Sequence, residues 1–405
     1  MLAVKRLFSS SEVDFKKEVE ALKVISAHHH PHLIQLLATY RHKEKYHLLF
    51  PMAQGDLRSY WNLPENPPAN KDSIPWMLKQ LRGLTDGLAS IHNHDLALDL
   101  KKNFLASMND WDRSNRRFGR HGDIKPENIL FVDENFDEDH GPSTNAQLLI
   151  ADFGLTDFHT ASSRSRVDPR RIGGSPTYEP PERSLNLPIS RAYDVWSLGC
   201  VYLEFLTWLL SGPTGVRSFA DARQSINLRG GIDEAFFTPM PPDADGRPRA
   251  TVKKTVSDHI AALRAHNGCS HALQDLLDLI EGQMLVVAPT TRVSSSKLVQ
   301  HLDEILDRGE RNQDYFVKNS NPQPIENQSW RKRTLSARLN KSEPPSKRVR
   351  VLSASIIPTS IGIFKGGNLQ QTENILWRKR LSEDIATSTS VHEPLPKRHR
   401  SMAPK

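Results

Sequence analysis

A chain of 405 residues has room for one large domain or two ordinary ones, yet only 37% of it is apolar, which is low for a chain packed from end to end. The net charge of +7 is uneven: residues 311–405 hold 18 Lys and Arg against 7 Asp and Glu, while the first 310 hold 36 against 40. The basicity belongs to the tail, so charge gives no ground for reading the preceding part as a nucleic-acid-binding domain.

Residues 2–7 read as a short strand. Residues 11–27 open with capping residues and place Phe15, Val19, Leu22 and Ile25 at helical spacing. His30-Pro31 closes that helix, because a proline disfavours helical backbone in the residue before it. Residues 33–40 and 46–52 read as paired strands around the polar turn His42-Lys-Glu-Lys45. An amphipathic helix over 73–92 lines up Ile74, Met77, Leu78, Leu81, Leu84, Leu88 and Ile91. Residues 93–120 lose the period and 133–145 are acidic, so both read as insertions. A short buried strand at 148–151 leads into residues 152–182, whose Ser, Arg, Gly and Pro predict a long surface loop. Helices are predicted at 192–210, 271–283 and 295–306. Strands first and mostly helices afterwards indicate an α+β fold in two lobes.

Beyond residue 310 the composition turns to Asn, Pro, Ser, Lys and Arg, which predicts a disordered basic tail over 311–405. The tail holds a duplication: Trp330-Arg-Lys-Arg333 with Lys347-Arg-Val-Arg350, and Trp377-Arg-Lys-Arg380 with Lys397-Arg-His-Arg400. Paired basic clusters resemble bipartite import signals, which implies an import receptor as a partner and a nuclear or nucleocytoplasmic location. Cys200 and Cys269 make no disulfide framework, as expected in a reducing compartment. No signal-peptide pattern opens the chain, and the apolar stretch 198–210, interrupted by Glu204, reads as too short to span a bilayer. A soluble intracellular protein is expected, with no membrane partner.

Four motifs follow in order: His121-Gly-Asp-Ile-Lys-Pro-Glu-Asn128, then Asp152-Phe-Gly154 after the apolar run Leu148-Leu-Ile-Ala151, then Gly174-Ser-Pro-Thr-Tyr-Glu-Pro-Pro-Glu182, then Asp194-Val-Trp-Ser-Leu-Gly199. Their order and spacing resemble the eukaryotic protein kinase family, Ser/Thr type, over roughly residues 1–306. The resemblance implies a bilobal protein-kinase-like fold with a small β lobe and a mainly helical large lobe, ATP and Mg²⁺ as cofactors, and protein substrates with Ser/Thr acceptors. It makes Asp123 the carboxylate beside the attacking hydroxyl and Lys125 the lysine beside the transferred phosphoryl. Asn128 and Asp152 become the metal ligands, suited to a hard cation. Lys5 matches the strand lysine that holds phosphates, Glu18 its helix partner in preference to Glu20, and Pro51-Met52-Ala53 the hinge behind the gatekeeper Phe50. Leu22, Leu36, His121 and Phe153 fall where the family stacks a column of side chains. Asp194 matches an anchor of the catalytic loop, and Glu182 with Arg292 a structural ion pair. His28-His-His30-Pro-His32 falls in the loop after the helix, where His-Pro is common in kinases, rather than reading as a metal site. Glu127 matches a position where arginine-preferring kinases carry a glutamate that meets an arginine three residues before the target.

The sequence also departs from the family. Lys5 stands so near the start that the Gly-rich loop and its strands are missing, which reads as truncation of a small lobe left incomplete. Gly122 replaces the arginine that clasps a phosphate in the activation loop, so activity is expected to be independent of loop phosphorylation. Three function classes follow: an active protein serine/threonine kinase, a catalytically weak pseudokinase scaffold, and a tail-driven nucleic-acid or chromatin adaptor.

Overall fold

A computed structural model describes residues 1–7, 12–26, 29–63, 72–93, 117–136, 146–160, 175–226 and 230–317. The chain divides into two units, Met1–Lys341 and Ser342–Lys405, and every described residue lies in the first. The duplicated tail segment and the expected import clusters lie outside the described residues, as do most of both insertions.

Three antiparallel strands, β1 (Leu2–Arg6), β2 (Ala38–His42) and β3 (Lys45–Pro51), form a sheet in the order β1-β3-β2. Lys43 and Glu44 take positive φ, 45° and 60°, which is the backbone a two-residue hairpin turn demands. Helix α1 (Glu12–Ser26) lies on this sheet, with Phe15 stacked on Tyr46 at a ring-centroid distance of 4.0 Å. Val19, Leu22 and Ile25 are buried, as their spacing predicts. The strand predicted at 33–40 starts only at Ala38. Its apolar front half is used differently: Leu33 bridges Ile150, and the Ile34 N–H donates to the Ile150 carbonyl at 3.0 Å. That link ties the small sheet to the strands that carry the catalytic segments.

Below it, β4 (Gly55–Asp56), β6 (Ile129–Val132) and β7 (Gln147–Ile150) pair in the order β4-β6-β7, and β5 (Arg117–Arg120) pairs with β8 (Asp157–Thr160). The last four residues of the first predicted insertion and part of the predicted surface loop are therefore strand. Between β4 and β5 come the short α2 (Leu57–Tyr60), capped by Asp56, and α3 (Ser73–His92), whose apolar stripe is buried throughout. After the single-turn α4 (Pro181–Ser184), α5 (Ala192–Arg223) runs through the core, buried on all sides from Tyr193 to Leu210. The helix predicted at 192–210 is present, and the whole span to Arg223 could by length and composition cross a membrane, but 83% of its most apolar window is buried inside the fold. Gly212, at φ 67°, breaks its helical backbone, and Pro213 restarts it.

The C-terminal part adds the hairpins β9 (Ser225–Ile226) with β10 (Ile232–Asp233) and β11 (Phe237–Met240) with β12 (Arg249–Val252), then α6 (Lys254–Ala265), α7 (His271–Leu279) and α8 (Ser295–Arg311). A boundary at residue 310 cuts this fold short. Tyr315 and Phe316 are buried, the Tyr315 hydroxyl donates to Asp275 at 2.5 Å, and Phe316 packs so closely on Gly309 that no side chain fits there.

His259 on α6 stacks on Phe219 at 3.9 Å and its Nε2 lies 2.8 Å from the Thr207 hydroxyl. Burial, then the charge of Arg223, lowers its pKa to about 4. The folded state thus refuses a proton that the unfolded chain accepts below about pH 6.5. The stability this withholds is intact above that pH and is lost as pH falls from there towards 4. At pH 5 the loss should reach up to about 2 kcal/mol. Urea unfolding at pH 7 and pH 5 should show His259→Phe, which keeps a stacked ring, losing less stability on acidification than the wild type does. Equal losses would refute the assignment.

Candidate active site

The small sheet and α1 bring two charged side chains to the catalytic segment. Lys5 Nζ donates to Glu18 Oε1 at 2.9 Å and to Asp152 Oδ1 at 2.8 Å. Glu20 is exposed, so Glu18 is the partner on the inner face. Burial works to lower the Lys5 pKa, but Asp152 and Glu18 together raise it above the ordinary lysine value. For Asp152 burial pushes upward, and the charge and hydrogen bond of Lys5, with the Gly154 N–H, outweigh it and leave the carboxyl below its ordinary value. Asp152 sits at φ 63°, a left-handed backbone rare outside glycine. A Cβ on Gly154 would come within 3.3 Å of Asp152 Oδ1, so glycine there lets the carboxylate fold back over the turn.

The catalytic loop is held from below by one carboxylate. Asp194, fully buried at the start of α5, accepts the His121 N–H at 2.9 Å and the Gly122 N–H at 2.8 Å. His92, the last residue of α3, adds a third bond through Nε2 at 2.8 Å, and its Nδ1 meets the Ser295 hydroxyl at 3.0 Å. Burial would raise the Asp194 carboxyl, but His92 and the loop donors lower it below the ordinary value. His121 Nδ1 accepts the Asp123 N–H at 3.2 Å, which leaves Nε2 as the donor to the Ala151 carbonyl at 3.1 Å. The His121 ring also packs edge-on against buried Phe153 at 5.0 Å, and Leu22 is buried in the same core, with Leu36 partly so.

Asp123 is oriented on both oxygens. Oδ1 accepts the Ser175 N–H at 3.0 Å, and Oδ2 accepts from Asn128 Nδ2 at 2.9 Å and faces Lys125 Nζ at 2.9 Å. Lys125 also donates to the Ser175 hydroxyl at 2.8 Å. Asn128 spends its amide N–H groups on Asp123 and keeps its carbonyl oxygen, while Asp152 keeps Oδ2. Two spare oxygens of this kind suit a hard divalent cation that completes its shell with phosphate and water.

Gly122 stands at φ +86°, so the arginine expected by resemblance would be strained there. A cation is nonetheless close. Arg120, two residues earlier, is buried with its guanidinium 5.7 Å over the Tyr193 ring, and its Nε lies 3.6 Å from where a Cβ on Gly122 would stand. Residues 161–174, which hold Ser162, Ser163 and Ser165, lie outside the described residues.

The hinge residues take their expected place at the end of β3. Pro51 closes the strand, Met52 is 40% exposed with its N–H on the Met1 carbonyl at 3.4 Å, Ala53 is half-buried, and Phe50 is buried behind them. The ion pair matched from sequence is present: Arg292 meets Glu182 through Nη1 at 2.9 Å and Nη2 at 3.1 Å, with both side chains fully buried. The residues singled out for catalysis, phosphate and metal therefore form two groups, Lys5–Glu18–Asp152 and Asp123–Lys125–Asn128, while Pro51, Met52 and Ala53 stand at the end of β3.

Three residues were given no role by sequence reasoning. Ser175 opens a motif that was recognised, yet the motif alone does not say that it bridges Asp123 and Lys125. His92 ends an amphipathic helix and looks like any terminal histidine. Arg58 donates to Glu127 at 3.1 Å, to Glu204 at 3.2 Å and to the Tyr178 hydroxyl, which itself donates to Glu204 at 2.8 Å.

Residues 116–302 match the protein kinase domain family, a stretch that holds the catalytic loop, Asp152, Glu182, Asp194 and Arg292 but not β1. Cyclin-dependent kinase D-1 of Arabidopsis thaliana is 25% identical over 70% of this chain and 58% of its own length. Dual specificity protein kinase CLK1 of Mus musculus is 25% identical over 45% of this chain and 39% of its own. The probable serine/threonine-protein kinase KIN28 homolog of Encephalitozoon cuniculi is 24% identical over 78% of this chain and 80% of its own. The chain thus spans little more than half the length of the first of these and less than half of the second. The loop hung from Asp194 and the Glu182–Arg292 pair lie inside the matched stretch, and with the Lys5–Glu18 pair in place before it the chain holds a protein kinase domain.

Proposed function

We propose that this chain transfers the γ-phosphoryl group of ATP to Ser and Thr hydroxyls of protein substrates. The observation that carries the reading is the Asp123–Lys125–Ser175 triangle, a carboxylate fixed on both oxygens with a cation beside it. Asp123 Oδ2 takes the proton of the attacking hydroxyl as its bond to the γ-phosphorus forms and the bond from that phosphorus to the β,γ-bridging oxygen breaks, so that ADP leaves. Lys125 neutralises charge on the phosphoryl oxygens, and Lys5, once released from Asp152, does the same for the other phosphates. Magnesium, held by Asn128 and Asp152, supplies charge neutralisation at the phosphates when bound. Such chemistry asks little covalent work of the protein and rests on positioning, which is what a doubly held carboxylate provides.

Incubation of the full chain with Mg²⁺, radiolabelled ATP and casein, followed by acid hydrolysis, tests this directly. Label is expected on phosphoserine and phosphothreonine, with none on phosphotyrosine. Asp152→Asn, which removes a metal-holding charge, should lower incorporation by at least about tenfold. Wild-type labelling no higher than that of Asp152→Asn would overturn the reading.

A further inference from the structure

Arg58 sits where none of the motifs predicts a cation. Its neighbours come from the two segments that flank Asp123. Glu127 lies in the Pro126–Asn128 turn directly after Lys125, and Tyr178 ends the Pro176–Tyr178 turn directly after Ser175. The guanidinium is thus one turn away from the acceptor position on both sides. Glu204 closes the arrangement from α5, with its Oε1 already taken by Arg223 at 2.8 Å and both of those side chains 1% exposed.

Glu204 therefore has a buried cation of its own, and that cation is sandwiched between Phe219 and Phe236 at 4.1 Å from each ring. Arg58 meets only the second oxygen of Glu204, at 3.2 Å, and is itself the ion-pair partner of Glu127. Both side chains reach the surface, Arg58 33% and Glu127 26% exposed, so the pair forms part of the surface wall beside the catalytic loop. Two arginines and two glutamates balance. Without Arg58 the same wall carries an uncovered carboxylate beside the acceptor site, which a substrate guanidinium could answer with a charge-assisted, forked hydrogen bond.

We propose that Arg58 is a specificity-determining residue: an internal guanidinium that fills the acidic subsite beside Asp123, so that the protein gains nothing from an arginine upstream of the target and meets one with like charge. This rests on the kinase reading above and gives it a substrate class, acceptor segments lacking basic residues just before the Ser or Thr. The sequence-level expectation attached to Glu127 is thereby reversed. The glutamate is present, but its cation is supplied by the chain itself. Thr334 and Ser336, which follow Arg331 and Arg333 by three residues in the tail, are on this reading not favoured acceptors.

Two fluorescein-labelled serine peptides, identical but for Arg or Leu at the third residue before the serine, test the proposal on the full chain with Mg-ADP by anisotropy, and with Mg-ATP by transfer. Wild type should show an Arg-to-Leu ratio at or below one. Arg58→Met should raise that ratio at least about tenfold in both readouts, and adding Glu127→Gln should return it to the wild-type value. A third peptide with Glu at the same place should gain at least about fivefold over Leu in the single variant Glu127→Gln, where Arg58 has a donor to spare. This surface change decides the matter if Arg58→Met does not fold. A wild type that prefers the Arg peptide, or ratios unmoved in the folded variants, overturns the proposal. A shift in binding ratio without any phosphoryl transfer sustains the subsite and counts against the kinase reading alone.

Discussion

Asp123→Asn should lower phosphoryl transfer by at least about two orders of magnitude, the usual worth of a positioned proton acceptor. Asparagine keeps the size of the side chain and can still accept the Ser175 N–H, so the loop need not move. What is lost is a proton acceptor at Oδ2 and the negative charge facing Lys125 at 2.9 Å. Lys125 keeps its bond to the Ser175 hydroxyl and remains placed for phosphate. Nucleotide affinity should therefore stay within about threefold of wild type while the transfer rate collapses, the pattern of an interaction made in the transition state. Calorimetric titration with Mg-ADP beside a radiolabel transfer assay separates the two. Undiminished transfer would remove Asp123 from the mechanism, and a parallel fall in nucleotide affinity would assign it to binding.

Arg292→Met should destabilise the fold by about 3–5 kcal/mol, the usual cost of leaving one member of a buried ion pair uncompensated. Arg292 reaches Glu182 with two N–H groups, lies 5.3 Å from the Trp196 ring, and also donates to the carbonyls of Val286 and Ala192. Methionine fills much of the volume but leaves the Glu182 carboxylate with no cation at zero exposure. Pairing it with Glu182→Gln should recover part of the loss, because the stranded charge goes too, although the carbonyls once served by Arg292 stay unpaired. Urea denaturation of the full chain gives the comparison. A single-variant cost below about 1 kcal/mol, or a double variant no better than the single, would show that the pair contributes little.

What could be read from the sequence was what lies in short fixed patterns. Lys5 with Glu18, Asp194 beneath His121, and Glu182 with Arg292 all stand where the motifs place them. The helix over 73–92 was legible because its apolar stripe is continuous. The strand at 33–40 was misplaced because alternation cannot tell a sheet partner from a segment that ties two sheets together, which is what Leu33 and Ile34 do. Residues 225–252 gave no signal, since their strands are two to four residues long and mostly exposed. Arg58 was unreadable for another reason. Its partners are 69, 120 and 146 residues away, and nothing local distinguishes it from a solvated helix cation.

The single carboxylate under the catalytic loop also sets an order of events. Its donors come from positions 72, 73 and 102 residues distant, and the His92 that completes the set is itself held by Ser295, 203 residues on. Each such closure costs chain entropy before it returns any contact, so pairings this far apart form slowly and late. Until α3, α5 and α8 have met, the His121 and Gly122 N–H groups lack their acceptor and Asp123 lacks a fixed place. The place of Asp123 is therefore fixed only when segments 72 to 203 residues apart in sequence have met.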